Sequence, residues 1–209
     1  MEPFREVFGP AAALMRPNID TDVVIRIERL TGVPRAEMGP YAFEALRYRQ
    51  GQAGDRGSED PDFVLNRAPF RGAPILIAGR NFGCGSSREG AVWALMGMGL
   101  RVVIAESFGD IFFANCFQNG VLPIVLDGPT VERLAEAAAG GDPVRIDLEN
   151  RVVVPPNGQP IPFEIDPQRR EALLDGLDEI ARTLKHGPAI AGWQRGDHDA
   201  RPWVWQNEG

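Results

Sequence analysis

The chain has 209 residues, 44% of them hydrophobic, and a net charge of −7 from 22 basic and 29 acidic side chains. That apolar content can bury a substantial core, while the acidic balance argues against nucleic acid or an anionic membrane as the main partner, because phosphate binding needs a basic face. No run reaches the roughly 20 apolar residues of a membrane span, the start is not a signal peptide, and two cysteines are too few for a disulfide scaffold or a self-sufficient metal centre.

A cytoplasmic globular protein without its own metal is therefore expected. Residues 5–15 read as an edge strand with a turn at Gly9-Pro10. Arg16-Pro17-Asn18-Ile19-Asp20-Thr21-Asp22 is a polar, turn-rich stretch in which Asn18, Asp20 and Asp22 suit Asx turns. A calcium loop is rejected, since the required Gly and distant Glu are missing. Residues 23–27 then predict a strand. A short helix is expected from about 40 to 48, followed by a mobile surface loop over 49–61, rich in glycine and charge.

From residue 74 the pattern is regular. Strands are expected at 74–78, 101–105 and 121–126, alternating with helices at 91–98 and 111–118, which implies right-handed crossovers and parallel pairing. Ser107 and Asp110 suit a helix cap, Asn119-Gly120 a helix end, and Pro123 an edge strand. Thr130 is expected to cap a helix reaching 139. A hairpin follows over 144–154 around Glu149-Asn150, then a strand at 161–165. Asp166-Pro167 opens what reads as one long helix to Leu184, with Leu173, Leu174, Leu177 and Ile180 on an inward face, ended by Gly187-Pro188. The tail, 187–209, holds Trp193, Trp203 and Trp205 without a clear period and is expected to pack back on the body.

The densest chemistry lies in Gly79-Arg80-Asn81-Phe82-Gly83-Cys84-Gly85-Ser86-Ser87-Arg88-Glu89, between a strand and a helix. Ser86 and Glu89 have capping-box spacing. A helix N-terminus attracts anions, and an adjacent arginine can clamp a carboxylate or phosphate. The stretch is not a nucleotide loop, having no third glycine and no G-K-[ST]. Nor is it a serine-hydrolase elbow, because both histidines, His186 and His198, lie in the last quarter of the chain. From the residues alone it is a small-anion site containing a serine.

Asn81-Phe82-Gly83-Cys84-Gly85-Ser86-Ser87-Arg88-Glu89 resembles the signature of the aconitase superfamily's swivelling domain, in its stand-alone form, the isopropylmalate dehydratase small subunits. The resemblance extends through Asn18-Ile19-Asp20-Thr21-Asp22, Pro61-Asp62-Phe63, Val102-Val103-Ile104-Ala105-Glu106-Ser107-Phe108, Asp110-Ile111-Phe112 and Gly176-Leu177-Asp178. It implies an α/β fold, a swivelling β/β/α domain over 1–209 with a mixed, barrel-like sheet and flanking helices. It implies a hydro-lyase that isomerises 2- and 3-isopropylmalate by dehydration and rehydration in leucine biosynthesis. A [4Fe–4S] cluster belongs to a large-subunit partner and no cofactor to this chain. By the same resemblance, Ser86 is the catalytic base, Ser87 helps hold its charge, Asp20 supports the site, and Arg88 with Gly85 binds the di-acid substrate.

Two departures stand out. The family has His after Ser-Ser-Arg-Glu, where this chain has Gly90, and Pro-Lys with an aromatic where this chain has Arg26-Ile27-Glu28-Arg29. These leave open a paralogue for another substituted malate, such as a methylmalate or dimethylmalate. A non-catalytic partner protein that senses an anion is the reading from another class, and intact Ser86, Ser87 and Arg88 favour the enzyme.

Overall fold

The computed structural model describes residues 1–49, 59–85 and 88–205. Ser86, Ser87, most of the 49–61 stretch and the last four residues lie outside them. The parallel and antiparallel pairing expected of the mixed α/β fold is present among the described residues, divided between two four-stranded sheets.

The expected edge strand over 5–15 is two strands, β1 (Glu6–Gly9) and β2 (Ala11–Leu14), that serve different sheets. Pro10 separates them: without an N–H it cannot continue a ladder. β2 begins a parallel sheet in which it pairs with β3 (Ile75–Ala78), then β4 (Val102–Ala105), then β5 (Leu122–Val125). Pro123 sits on the outer strand of this sheet, where a missing donor is tolerated. β1 pairs antiparallel with β6 (Val144–Asp147), which forms the expected hairpin with β7 (Val152–Val154) and leads to the short β8 (Ile161–Pro162).

Side chains alternate across a strand, so the parallel sheet feeds two cores. Leu76, Ala78, Val103 and Ala105 face one, and Ile75, Ile77, Val102 and Ile104 the other. The second core is closed by Val144, Ile146 and Val153 of the antiparallel sheet and by α6 (Gly128–Ala138). The first is covered by α4 (Glu89–Gly97), α5 (Asp110–Asn119) and the segment between β2 and β3. Burial on both faces explains why these strands read as uninterrupted apolar runs.

That intervening segment differs from expectation. Residues 23–27 form no strand; they span the end of α1 (Thr21–Val24), the extended link Ile25-Arg26 and the start of α2 (Ile27–Gly32). Asp20 decides this by accepting from the Val23 amide at 2.7 Å and capping α1. Val24 and Ile25 are buried either way, and a short apolar run does not by itself distinguish strand from helix. The helix expected over 40–48 is reduced to a 3-10 turn (Gly39–Tyr41) and α3 (Glu44–Arg47), because Phe43 turns the backbone left-handed at φ 55°. Arg29 of α2 holds buried Glu44 of α3 (Nε to Oε2, 3.0 Å) and lies over Tyr41. This hydrogen bond raises the Arg29 pKa further above its ordinary value.

Capping also departs from the sequence reading. Gly109, not Ser107, precedes α5, and the Ser107 hydroxyl instead accepts from the Asn81 amide at 2.9 Å. α6 is capped by Asp127, which accepts from the Thr130 amide at 2.9 Å and the Thr130 hydroxyl at 2.8 Å. The long helix expected to Leu184 is two. α7 (Pro167–Asp175), capped by Asp166 as expected, stops at left-handed Gly176 (φ 68°). Asp178 then caps α8 (Glu179–Leu184), whose Ile180 and Leu184 face solvent rather than the core. Gly187-Pro188 does not end a helix but begins α9 (Gly187–Ala200), a placement proline suits because its missing N–H is an orphan there. Trp193 and Trp203 are exposed instead of packed inward, and Trp205 donates to Asp197 within the tail at 3.1 Å.

Candidate active site

The C-terminal ends of parallel strands are where an α/β sheet opens a crevice for ligands. Here β2 runs out into 15–20, β3 into the glycine-rich stretch, and β4 into Glu106-Ser107. Hydrogen bonds lace the three exits together. The Asn18 amide donates to the Arg80 carbonyl and the Asn81 side chain to Asn18 Oδ1, both at 2.9 Å. The Gly83 amide reaches the Ile19 carbonyl at 2.7 Å and the Thr21 amide the Cys84 carbonyl at 3.0 Å. On the other side, the Phe82 amide donates to the Ser107 carbonyl at 3.0 Å and the Gly109 amide to the Phe82 carbonyl at 2.9 Å.

Two glycines make this approach possible. Gly83 has φ 70°, and a Cβ there would stand 2.7 Å from Phe112 Cβ. Gly85 has φ 91°, and its Cβ would lie 3.4 Å from Asp20 Cβ. Both need a backbone that L side chains rarely adopt. Asp20 and Gly85, far apart in the chain, are thus neighbours.

Of the three residues expected to form Asx turns, only Asp20 does comparable local work, as the cap of α1. Asn18 cross-links to Asn81, and Asp22 ion-pairs with Arg88. Arg88 is itself the residue before α4, in extended conformation (φ −91°), with no side-chain cap bond. The capping-box expectation fails for Glu89: it directly follows the cap position, and its Oε1 accepts from Asn119 Nδ2 at 2.8 Å. Gly90 is buried, and the space beside it is filled by the tip of Leu30 from α2. An aliphatic side chain therefore occupies the flank of α4 beside Gly90.

Of the residues predicted for the site, Asp20, Gly85 and Arg88 come together around the start of α4; Ser86 and Ser87 lie outside the described residues. Sequence reasoning missed Asp22 as the partner of Arg88, and it read Asn119 only as a helix end, not as the partner of Glu89. Neither carries a local signal, since the contacts span 66 and 30 residues. A guanidinium at a helix N-terminus beside a polar turn can bind and orient a carboxylate.

The chain's thiols do not suit an iron–sulfur cluster. Cys84 is half-buried in the turn, whereas Cys116 is fully buried and burial pushes its thiol well above the ordinary value. Cluster ligation needs several thiolates converging on one point, and among the described residues no three His, Cys, Asp or Glu side chains cluster to hold a metal. No helix among them is long and apolar enough to cross a membrane.

A family model, the aconitase C-terminal domain, matches residues 1–129, and a second, LeuD_N, matches 132–167. The chain is 47% identical to the 3-isopropylmalate dehydratase small subunit of Rhodospirillum centenum, covering 98% of this chain and 99% of that one. It is 48% identical to the protein of the same name from Gluconacetobacter diazotrophicus, covering 97% of each. Among solved structures, a 3-isopropylmalate dehydratase from Methanocaldococcus jannaschii superposes with a TM-score of 0.64 at 26% identity, over 90% of this chain and 98% of that one. With the strand exits, the glycine turn and Arg88 in the arrangement described, the chain belongs to the aconitase C-terminal domain family, among the 3-isopropylmalate dehydratase small subunits.

Proposed function

We propose that this chain is the small subunit of a 3-isopropylmalate dehydratase that interconverts 2- and 3-isopropylmalate in leucine biosynthesis, working in the cytoplasm with a large subunit. The observation that carries the reading is 47% identity to a protein of that name over nearly the full length of both chains. The chain would act as one swivelling domain that closes the large subunit's active site.

In this reading Arg88 binds a substrate carboxylate, aided by the helix start behind it. The Ser86 hydroxyl, as its alkoxide, takes the proton from the carbon next to a carboxylate and later returns one. Serine is a very weak acid, so helix-start N–H groups and a nearby cation must stabilise that anion. Ser87 helps hold the charge, and Asp20, against Gly85, supports the turn from the side. A [4Fe–4S] cluster held by the large subunit would supply a Lewis acid for the departing hydroxyl.

The test is co-expression with the large subunit and an assay of 3-isopropylmalate turnover. Ser86→Ala should lower kcat by about 10²- to 10⁴-fold, the range of a lost proton-transfer group; undiminished activity would remove Ser86 from the mechanism. A panel of alkylmalates decides the substrate. The isolated chain should be colourless and inactive, and a stoichiometric iron–sulfur chromophore on it would contradict the assignment of the cluster to the partner.

A further inference from the structure

The side chain of Asn119, the last residue of α5, is 6% exposed and uses its full hydrogen-bonding capacity. Its Oδ1 accepts from Arg35 Nη2 at 2.8 Å and from Trp93 Nε1 at 3.0 Å. Its Nδ2 donates to Glu89 Oε1 at 2.8 Å and to the Asn115 carbonyl at 2.9 Å. Guanidinium and indole can only donate, and carboxylate and carbonyl can only accept, so the amide has one permitted orientation. The Arg35 guanidinium also lies over the Trp93 ring at 4.8 Å, which fixes the donor side of the cluster.

This arrangement makes α5 a splint across the candidate site. At its N-terminal end, Gly109 bonds the Phe82 carbonyl and Phe112 fills the space beside Gly83. At its C-terminal end, Asn119 holds Glu89, the residue bonded to Arg88. The glycine-rich stretch is therefore gripped at both ends by one helix. Glu89 cannot serve a capping box from its position, and α4 has no side-chain cap at Arg88; beside the Arg88–Asp22 pair, the bond to Asn119 ties its first turn.

We infer that Asn119 is a positioning residue: through Glu89 it sets the first turn of α4, and with it the placement of Arg88. The kinetic consequence rests on the proposed dehydratase activity, whereas the conformational one does not.

Two readouts separate these. Asn119→Asp puts a carboxylate against the Glu89 carboxylate. In hydrogen exchange on the full chain, protection of the amides over 91–94, the first of α4 with backbone acceptors, should fall about tenfold or more, as expected for a local opening, with β4 and β5 unchanged. In the two-subunit complex kcat/KM should fall about 10- to 100-fold, the scale of a small misplacement of reacting groups, with KM rising as Arg88 shifts. Adding Glu89→Gln to Asn119→Asp re-creates an amide–carboxylate pair in reverse and should restore most of both losses, a coupling that independent sites do not show. Should Asn119→Asp fail to fold, Glu89→Ala removes the same bond from the other side and should give the same local loss.

The inference is overturned if protection over 91–94 is unchanged, if the loss spreads evenly through β4 and β5, or if Glu89→Gln brings no rescue. A wild-type complex inactive on every alkylmalate would refute the proposed activity instead, and the exchange pattern would still decide the role of Asn119.

Discussion

The Arg88 guanidinium lies against the Asp22 carboxylate, so the cation at the start of α4 already holds a carboxylate that the chain itself provides. The Arg88 side chain is 18% exposed and that of Asp22 55%, which places the pair at the mouth of the site rather than in the core.

A substrate carboxylate must displace Asp22 or share the guanidinium fork with it. Arg88→Lys substitutes one compact charge for that fork. In the complex it should raise KM about tenfold or more, on the scale of a charge-assisted hydrogen bond. Thermal stability should change by no more than about 1 kcal/mol, since a half-exposed pair contributes little. Steady-state kinetics and melting curves check both.

Two glycines beside the site should respond differently to alanine. Gly83 combines φ 70° with the Cβ and ring of the buried Phe112 side chain in the way, so Gly83→Ala should destabilise by about 2 kcal/mol or more. At Gly90 the obstacle is the free end of the Leu30 side chain, which can swing aside. Gly90→Ala should leave stability within about 1 kcal/mol, helped by alanine's better helix propensity. Because Leu30 moves, the kcat/KM ratio among alkylmalates should shift while the reaction continues. Denaturant titrations and the alkylmalate panel measure the two effects.

Acid stability should depend on Asp127 and Asp147. Hydrogen bonds from the Thr130 hydroxyl and amide hold Asp127 below the ordinary carboxylate value, and those from the Asn150 side chain and amide do the same for Asp147. A depressed folded-state pKa stabilises above the unfolded value and is lost as pH falls through the folded one. Both contributions are therefore complete above about pH 5 and are lost progressively as pH falls from the ordinary carboxylate value toward the lower folded-state ones. Asn caps a helix about as well as Asp, so Asp127→Asn should keep α6 but flatten the acid limb. Urea midpoints between pH 6 and pH 3 test this.

Thiol chemistry should divide the two cysteines. Cys116 is buried with a thiol pushed well above its ordinary value, and Cys84 is partly accessible. Alkylation of the native chain should label Cys84 and spare Cys116 until unfolding, as read by mass spectrometry. Cys84→Ala should leave the iron content of the complex unchanged, because the cluster is assigned to the other subunit.

Much of the fold was legible where a single local rule decides. Runs such as Ile75–Ala78 and Val102–Ala105 are strands because both faces are buried, and Asp166 and Gly120 cap helices through their own side chain or backbone freedom. The N-terminal segment was not legible. Val23, Val24 and Ile25 satisfy burial equally as strand or helix, and the choice turned on the bond from the Val23 amide to Asp20. Apolar positions also kept their helical spacing across Gly176, so periodicity could not register a break made by one left-handed residue.

For the site, composition and local order determined the chemistry on offer: glycines that allow a tight turn, hydroxyls, and an arginine before a helix. Only the tertiary structure decided what that chemistry faces. It set Asp20 against Gly85, paired Asp22 with Arg88, packed Leu30 over Gly90 and tied Glu89 to Asn119. Contacts between distant residues depend on how strands stack and helices cross, and no period or spacing within a short stretch encodes that.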